Sequence, residues 1–237
     1  MKILVINGSP RGNNSNTLKI TKAFLDGFNK DHRNHIEIID VSKSNINHCL
    51  GCFSCWNRTP GKCVLEDDMN INIEKYVEAD MIIWSFPLYY YGMPSKVKAF
   101  MDRLLPLNLP FIIHDSPNTC THPSRYETSH HKYLLISSCG FSSTDKNYEA
   151  LLSQFSILYG ADNFTKILCV EGPLLSSGGI NHEVSTYLEN VKKAGIEYGE
   201  NYAICDDTLE NLSTPMIPAE IYSNEVNSSW ENSIKTI

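Results

Sequence analysis

Residues 2–18 read KILVINGSPRGNNSNTL, and the rest of the chain is arranged around them. Ile3, Leu4, Val5 and Ile6 form an unbroken aliphatic run, the pattern of a parallel strand covered on both faces rather than of a strand with one side in water. Gly8 and Gly12 then permit a tight backbone path. Ser15 is placed to cap a helix whose apolar positions, Leu18, Ile20, Ala23, Phe24 and Phe28, recur at helical spacing. The free N–H groups and the positive end of that helix dipole therefore face the loop. Ser9, Arg11, Ser15, Asn16 and Thr17 add hydroxyl, amide and guanidinium donors, a set suited to one phosphate. The loop matches neither GxGxxG nor GxxxxGKS/T, which argues against a dinucleotide fingerprint and against a P-loop.

Working outward, the apolar segments alternate with helical ones. A second strand is expected at His35–Val41, a third at Asp80–Ser85, a fourth at Lys132–Ser138 and a fifth at Phe164–Val170. Helices are expected after Asp67 or Asp68, through SKVKAFMDRLL with Pro94 in its first turn, over Tyr148–Tyr159 and over Val184–Tyr198. Strands alternating with helices, without a meander, predict an open, doubly wound, five-stranded parallel α/β sheet in the flavodoxin-like order 2-1-3-4-5. In that order the ligand crevice lies where the strand order reverses, at the carboxyl ends of strands 1 and 3. The second motif-rich loop, Phe86–Pro94, follows strand 3, so two independent readings indicate the same crevice.

That second loop contains Pro87, Leu88, Tyr89, Tyr90, Tyr91 and Gly92, an aromatic-rich backbone that suits a flat ring. Cys139 and Gly140 end the fourth strand and can bring backbone N–H groups to one edge of such a ring. A phosphate site beside a ring site describes FMN.

The chain has 237 residues, of which 42% are hydrophobic, and a formal charge of −7. This supports one flavodoxin-like domain over residues 1–204 and a C-terminal extension over 205–237 that packs on the domain or on a second subunit. The acidic balance and the lack of a Lys/Arg cluster argue against nucleic acid or an anionic membrane as partner. No stretch approaches 18 apolar residues, and Met1 leads directly into the first strand, so a cytoplasmic protein is expected. Residues 107–131 read as irregular, spaced by Pro110, Pro117 and Pro123. Their histidines, His114, His122, His130 and His131, read as solvated, since no two stand at an i, i+4 ligand spacing.

Four of the eight cysteines, Cys49, Cys52, Cys55 and Cys63, fall within fifteen residues. In a chain without a signal peptide this reads as metal or redox chemistry before it reads as a disulfide scaffold. The loop that carries them, Ser42–Asp68, is long for an α/β unit, which itself implies a role.

These residues resemble the NADPH-dependent FMN reductases and related flavodoxin-fold proteins, including the iron-sulfur flavoproteins. The resemblance rests on GSPR at 8–11 with SNT at 15–17, on CLGCFSCW with PGKCVLEDDM over 49–69, and on PLYYYGMPSKVKAFMDR over 87–103. It implies hydride transfer from NAD(P)H through FMN to a quinone, a free flavin, a nitroaromatic or a redox protein, with no protein acid or base needed. It places the FMN phosphate on Ser9, Arg11, Ser15, Asn16 and Thr17, and the isoalloxazine along Pro87–Gly92 and Cys139-Gly140. No separate nicotinamide site is visible, which fits two substrates using one flavin face in turn. A homodimer or higher homo-oligomer is expected. The cysteine spacing resembles a 4Fe-4S motif, which takes four thiolates and would make the chain a one-electron carrier. Bare thiols, a reversible disulfide, a structural zinc and a non-enzymatic flavin/thiol redox sensor are the other readings of the same cysteines.

Overall fold

The computed structural model describes residues 1–116 and 119–234. In chain order its elements are β1 (Lys2–Asn7), α1 (Asn16–Phe28), β2 (His35–Asp40), α2 (Ser54–Asn57), α3 (Met69–Glu78), β3 (Met81–Pro87) and α4 (Ser95–Asp102). They continue with β4 (Ile113–Ser116), β5 (Thr119–Thr121), β6 (Lys132–Ser138), α5 (Glu149–Tyr159), β7 (Phe164–Cys169), α6 (Asn181–Asn201), α7 (Asp206–Ser213) and α8 (Ala219–Ile234). Five strands form one parallel sheet in the order β2-β1-β3-β6-β7. This is the expected 2-1-3-4-5 winding, renumbered because a separate two-stranded hairpin, β4-β5, intervenes.

The aliphatic runs are explained by burial on both faces. Ile3 and Val5 of β1, with Ile83, Leu134 and Ile136, pack on Ile20 and Phe24 of α1 and on Val191 and Tyr198 of α6. Leu4 and Ile6, with Ile82, Trp84 and Leu135, pack on Met69 and Ile73 of α3, Phe100 of α4 and Phe155 of α5. Trp84 is fully buried, and its indole N–H donates to the Tyr159 hydroxyl at 3.0 Å, so its polar atom is not stranded.

Two readings of the sequence need correction. Residues 107–131 are not wholly irregular: β4 and β5 pair antiparallel, and the base of the excursion is laced by Leu109 N to Pro123 O at 2.8 Å and Arg125 N to Leu107 O at 2.7 Å. Pro117 lies outside the described residues. His131 is buried rather than solvated: its ring meets Tyr76 and Tyr133 edge-on, Nε2 lies 3.3 Å from Val77 O, and burial pushes its pKa down. His114, His122 and His130 are exposed. The C-terminal extension carries α7, which buries Leu212 against the α1/α6 layer, and α8, which buries Tyr222. Among the described residues no helix is long and apolar enough to cross a membrane.

Helices α1 and α6 cross at two glycines. A Cβ on Gly195 would lie 2.0 Å from Phe24 O, and one on Gly27 2.0 Å from Lys192 O, so the backbones touch where a side chain cannot fit. Helix propensity alone favours alanine over glycine by about 1 kcal/mol, whereas overpacking costs about 1–3 kcal/mol or more. Gly195→Ala is therefore expected to lower the thermal midpoint by several degrees in a circular-dichroism melt, and a raised midpoint would contradict the close crossing.

Candidate cofactor cleft and cysteine pocket

The first loop is held from below. Gly8 N donates to Ser85 O of β3 at 2.8 Å, and the buried Asn7 amide donates to Gly12 O at 3.2 Å. Gly12 has φ +53°, and a Cβ there would meet the Asp40 carboxylate at 2.8 Å, so the turn requires glycine. Ser15 caps α1 as expected, its Oγ accepting from Leu18 N at 3.2 Å. Two buried hydroxyl pairs then fix α1 over the strand ends: Thr17 with Ser138 at 2.6 Å and Thr21 with Ser85 at 2.7 Å.

The structure gathers Ser9, Arg11, Ser15, Asn16, Thr17, Pro87, Leu88, Tyr89, Cys139 and Gly140 around one open cleft of about 240 Å³ at the carboxyl ends of β1, β3 and β6. The donors are not equivalent. The Asn16 side-chain amide points away from the loop, donating to Gly172 O at 2.8 Å and to the Ser176 hydroxyl at 3.0 Å, and leaves its Oδ1 buried without a partner. Thr17 spends its hydroxyl on Ser138. What remains for an anion are the Ser9 and Ser15 hydroxyl protons, the exposed Arg11 guanidinium, and the Asn16 and Thr17 amides at the start of α1, since the Leu18 amide is taken by the cap.

On the opposite wall, Leu88 N donates to Ser138 O at 2.8 Å. Tyr89 and Gly92 exchange both backbone hydrogen bonds around Tyr90 and Tyr91, whose φ angles are +49° and +62°. That is the shape of a type I′ turn, built from two tyrosines where asparagine and glycine are usual. Left-handed backbone at a non-glycine residue costs energy, and such residues collect at functional edges. Tyr90, Tyr91 and Gly92 stand beyond the cleft lining: Tyr90 is 100% exposed, and Tyr91 stacks on Phe141 with ring centroids 6.5 Å apart. Gly172, Pro173 and Ser176 also line the cleft. They follow β7, so extending the strand-end logic to the fifth parallel strand would have found them.

A larger hollow of about 600 Å³ opens along edge strand β7 between α5 and α7. It holds none of the residues that the sequence assigns to a cofactor or a metal.

All four clustered cysteines line a second, small cavity of about 20 Å³ together with Phe53 and Arg103. Tight turns bring them there: Gly51 and Phe53 have φ +62° and +53°, and Asn70 brackets the Cys63 backbone, accepting from its N at 2.8 Å and donating to its O at 3.0 Å. Burial, reinforced by Cys63, Cys49 and Cys52, pushes the Cys55 thiol up, whereas hydrogen bonds from Ser54 bring the exposed Cys52 thiol down. All eight cysteines are free. Among the described residues no three His, Cys, Asp or Glu side chains meet as a ready-made site for a metal ion.

Against this cavity lies a buried ion pair that the sequence reading missed. Arg103, 1% exposed, donates twice to Asp67 at 2.8 Å and once to Asn47 O at 2.8 Å, while its Nε–H stays without a partner. Burial opposes the Asp67 charge, but the donors from Arg103, Asn47 and Met69 outweigh it and hold the carboxyl well below the usual range. Because folding lowers this pKa, the ionised form stabilises the fold above the unfolded-state value near 4, and that contribution is lost as the pH falls below about 4. Arg103→Gln, which strands the carboxylate, is expected to cost about 3–5 kcal/mol at neutral pH and to flatten the acid limb of stability below pH about 4. Urea titrations across that range measure both; an unchanged acid limb would contradict the pairing.

The chain is 35% identical over 111 residues to an iron-sulfur flavoprotein of Methanocaldococcus jannaschii, a match covering 47% of this chain and 55% of that protein. The chain spans about half the length of the iron-sulfur flavoproteins it matches. It is 24% identical over 204 residues to an FMN-dependent NADH:quinone oxidoreductase of Pseudomonas fluorescens, covering 82% of this chain and 98% of the other. Among solved structures, an FMN-dependent NADH-azoreductase from Bacillus anthracis in complex with FMN has a TM-score of 0.60 over 84% of this chain and 99% of its own, at 17% identity, a likeness of fold alone. A model of the flavodoxin-like fold matches residues 1–172. The chain belongs to the flavodoxin-like fold family.

Proposed function

We propose that the chain binds FMN in the β1/β3/β6 cleft and acts as an NAD(P)H-dependent oxidoreductase for a small acceptor of the quinone, flavin or nitroaromatic class. The observation that carries this reading is the convergence of three strand-end loops on one cleft, with a helix N-terminus and its hydroxyl donors at one side and an aromatic-edged backbone turn at the other.

The residues present fit the group. Ser9, Arg11, Ser15 and the Asn16 and Thr17 amides of α1 would hold the phosphate. The buried, unpartnered Asn16 Oδ1 is an acceptor suited to a ribityl hydroxyl. Pro87–Tyr89 and Cys139-Gly140 would flank the ring. Bound FMN supplies the hydride chemistry, and the protein supplies position, electrostatics and access. Cys139 lines the same cleft, and burial pushes its thiol up, so it presents a neutral S–H there. The exposed Phe111 and Ile112 offer an apolar surface that supports self-association as part of this reading.

The cysteine pocket favours a second reading, an electron carrier with a 4Fe-4S cluster. Its support is that Cys49, Cys52, Cys55 and Cys63 line one cavity against the buried Arg103 guanidinium. Four thiolates are the ligand set of such a cluster, and a nearby cation offsets the negative charge they bring.

Protein purified without oxygen is expected to show two flavin absorption bands that bleach on adding NADPH or NADH. Loss of both, with no uptake of added FMN, would overturn the proposal. Arg11→Ala is expected to weaken FMN binding by roughly 10- to 100-fold, the value of one charge-assisted hydrogen bond. Replacing Cys52 and Cys55 by Ser is expected to leave FMN binding intact and to remove iron; parent protein free of iron after anaerobic purification would eliminate the cluster reading alone.

A further inference from the structure

The loop Cys139–Phe141 has every carbonyl oxygen engaged from behind. Cys139 O accepts from Gly172 N at 2.8 Å, Gly140 O from the Tyr222 hydroxyl at 2.9 Å, and Phe141 O from Glu171 N at 2.8 Å. A trans peptide is planar, with its N–H directed opposite its C=O. Pinning the carbonyls of Cys139 and Gly140 inward therefore turns the N–H groups of Gly140 and Phe141 outward. Among the described residues neither amide donates to another group of the chain. The space above Gly140 is open, with nothing within 4 Å of where a Cβ would stand, and Gly140 lines the cleft.

One of those three pins comes from the C-terminal segment, 82 residues away. The segment is itself anchored. Glu171, 0% exposed and with left-handed backbone at φ +53°, accepts through one carboxylate oxygen from Met216 N at 2.9 Å and Ile217 N at 3.2 Å, just ahead of α8. Tyr222 is then delivered by the first turn of α8 and is 4% exposed, with burial pushing its pKa up to about 12, so the hydroxyl remains a donor at neutral pH.

The geometry points to Tyr222 as a positioning residue for the flavin: by fixing the Gly140 carbonyl it presents the Phe141 N–H to the edge of the ring that gains negative charge on reduction. This rests on the proposed FMN site and adds a role for the C-terminal helix in setting the affinity and the potential of the bound cofactor. Donors aimed at that edge favour the reduced form, so the segment raises the potential.

The test uses full-length protein with Tyr222→Phe, which removes one oxygen and keeps the ring. FMN affinity is read by fluorescence quenching, the two-electron midpoint potential by equilibration with a reference dye, and overall stability by a thermal melt. The expected result is weakening of FMN binding by roughly three- to tenfold, the range of one hydrogen bond, with a lower potential. A tenfold preferential loss for the reduced form corresponds to a fall of about 30 mV. As a second measurement independent of stability, the Phe141 amide resonance is expected to shift on adding FMN to the parent protein and to shift less in the variant. Equal affinity, equal potential and an equal amide shift in both proteins would overturn the role of Tyr222 while leaving the FMN reading in place. Parent protein that fails to bind FMN would overturn both.

Discussion

Strand β1 has a parallel partner on each side, β2 on one edge and β3 on the other. The connections that leave this strand pair must therefore depart to opposite faces of the sheet, and neither roofs the gap at its carboxyl end. The proposed FMN site depends on that gap. It stays open because α1 is held beside it by hydroxyl contacts, Thr17 to Ser138 and Thr21 to Ser85, that satisfy polar groups which would otherwise be costly to bury. The same contacts tie α1, which follows the first loop, to β3 and β6.

A second polar constraint organises the cysteine pocket. Arg103 follows α4 and Asp67 precedes α3, and their pairing clamps the long Ser42–Asp68 excursion to the domain. Around α4, the cleft takes Pro87, Leu88 and Tyr89 from the stretch ahead of the helix, whereas the pocket takes Asp102, Arg103, Leu105 and Pro106 from its end and beyond. Eight helical residues at 1.5 Å each place about 12 Å of helix between those two stretches of chain. The two sites share no lining residue.

How much of this the sequence disclosed depended on how local the signal was. The strand–loop–helix at residues 2–18 carries its own period, glycines and cap, and the phosphate-sized loop was readable from it. The sheet order followed from alternation alone. The type I′ turn at Tyr90-Tyr91 carries no asparagine or glycine at its centre, so composition gave no hint that these rings would turn away from the cleft lining. The β4-β5 hairpin is short, exposed and polar, with no apolar alternation to reveal it. His131 looked like its solvated neighbours because its burial comes largely from Tyr76 and Val77, which only folding brings to it. Likewise Glu171 and Tyr222 stand far from the cleft motifs in sequence, and nothing near either residue announces that one orients the segment that delivers the other.

The central claim is that the open cleft receives a phosphorylated flavin with its phosphate on the α1 N-terminus. Its most direct test is a side-by-side titration of flavin-free protein with FMN and with riboflavin, which differ by that phosphate. FMN is expected to bind roughly 100-fold or more tightly than riboflavin, as two or more charge-assisted hydrogen bonds require. Equal affinity for the two, or binding of neither, would contradict it.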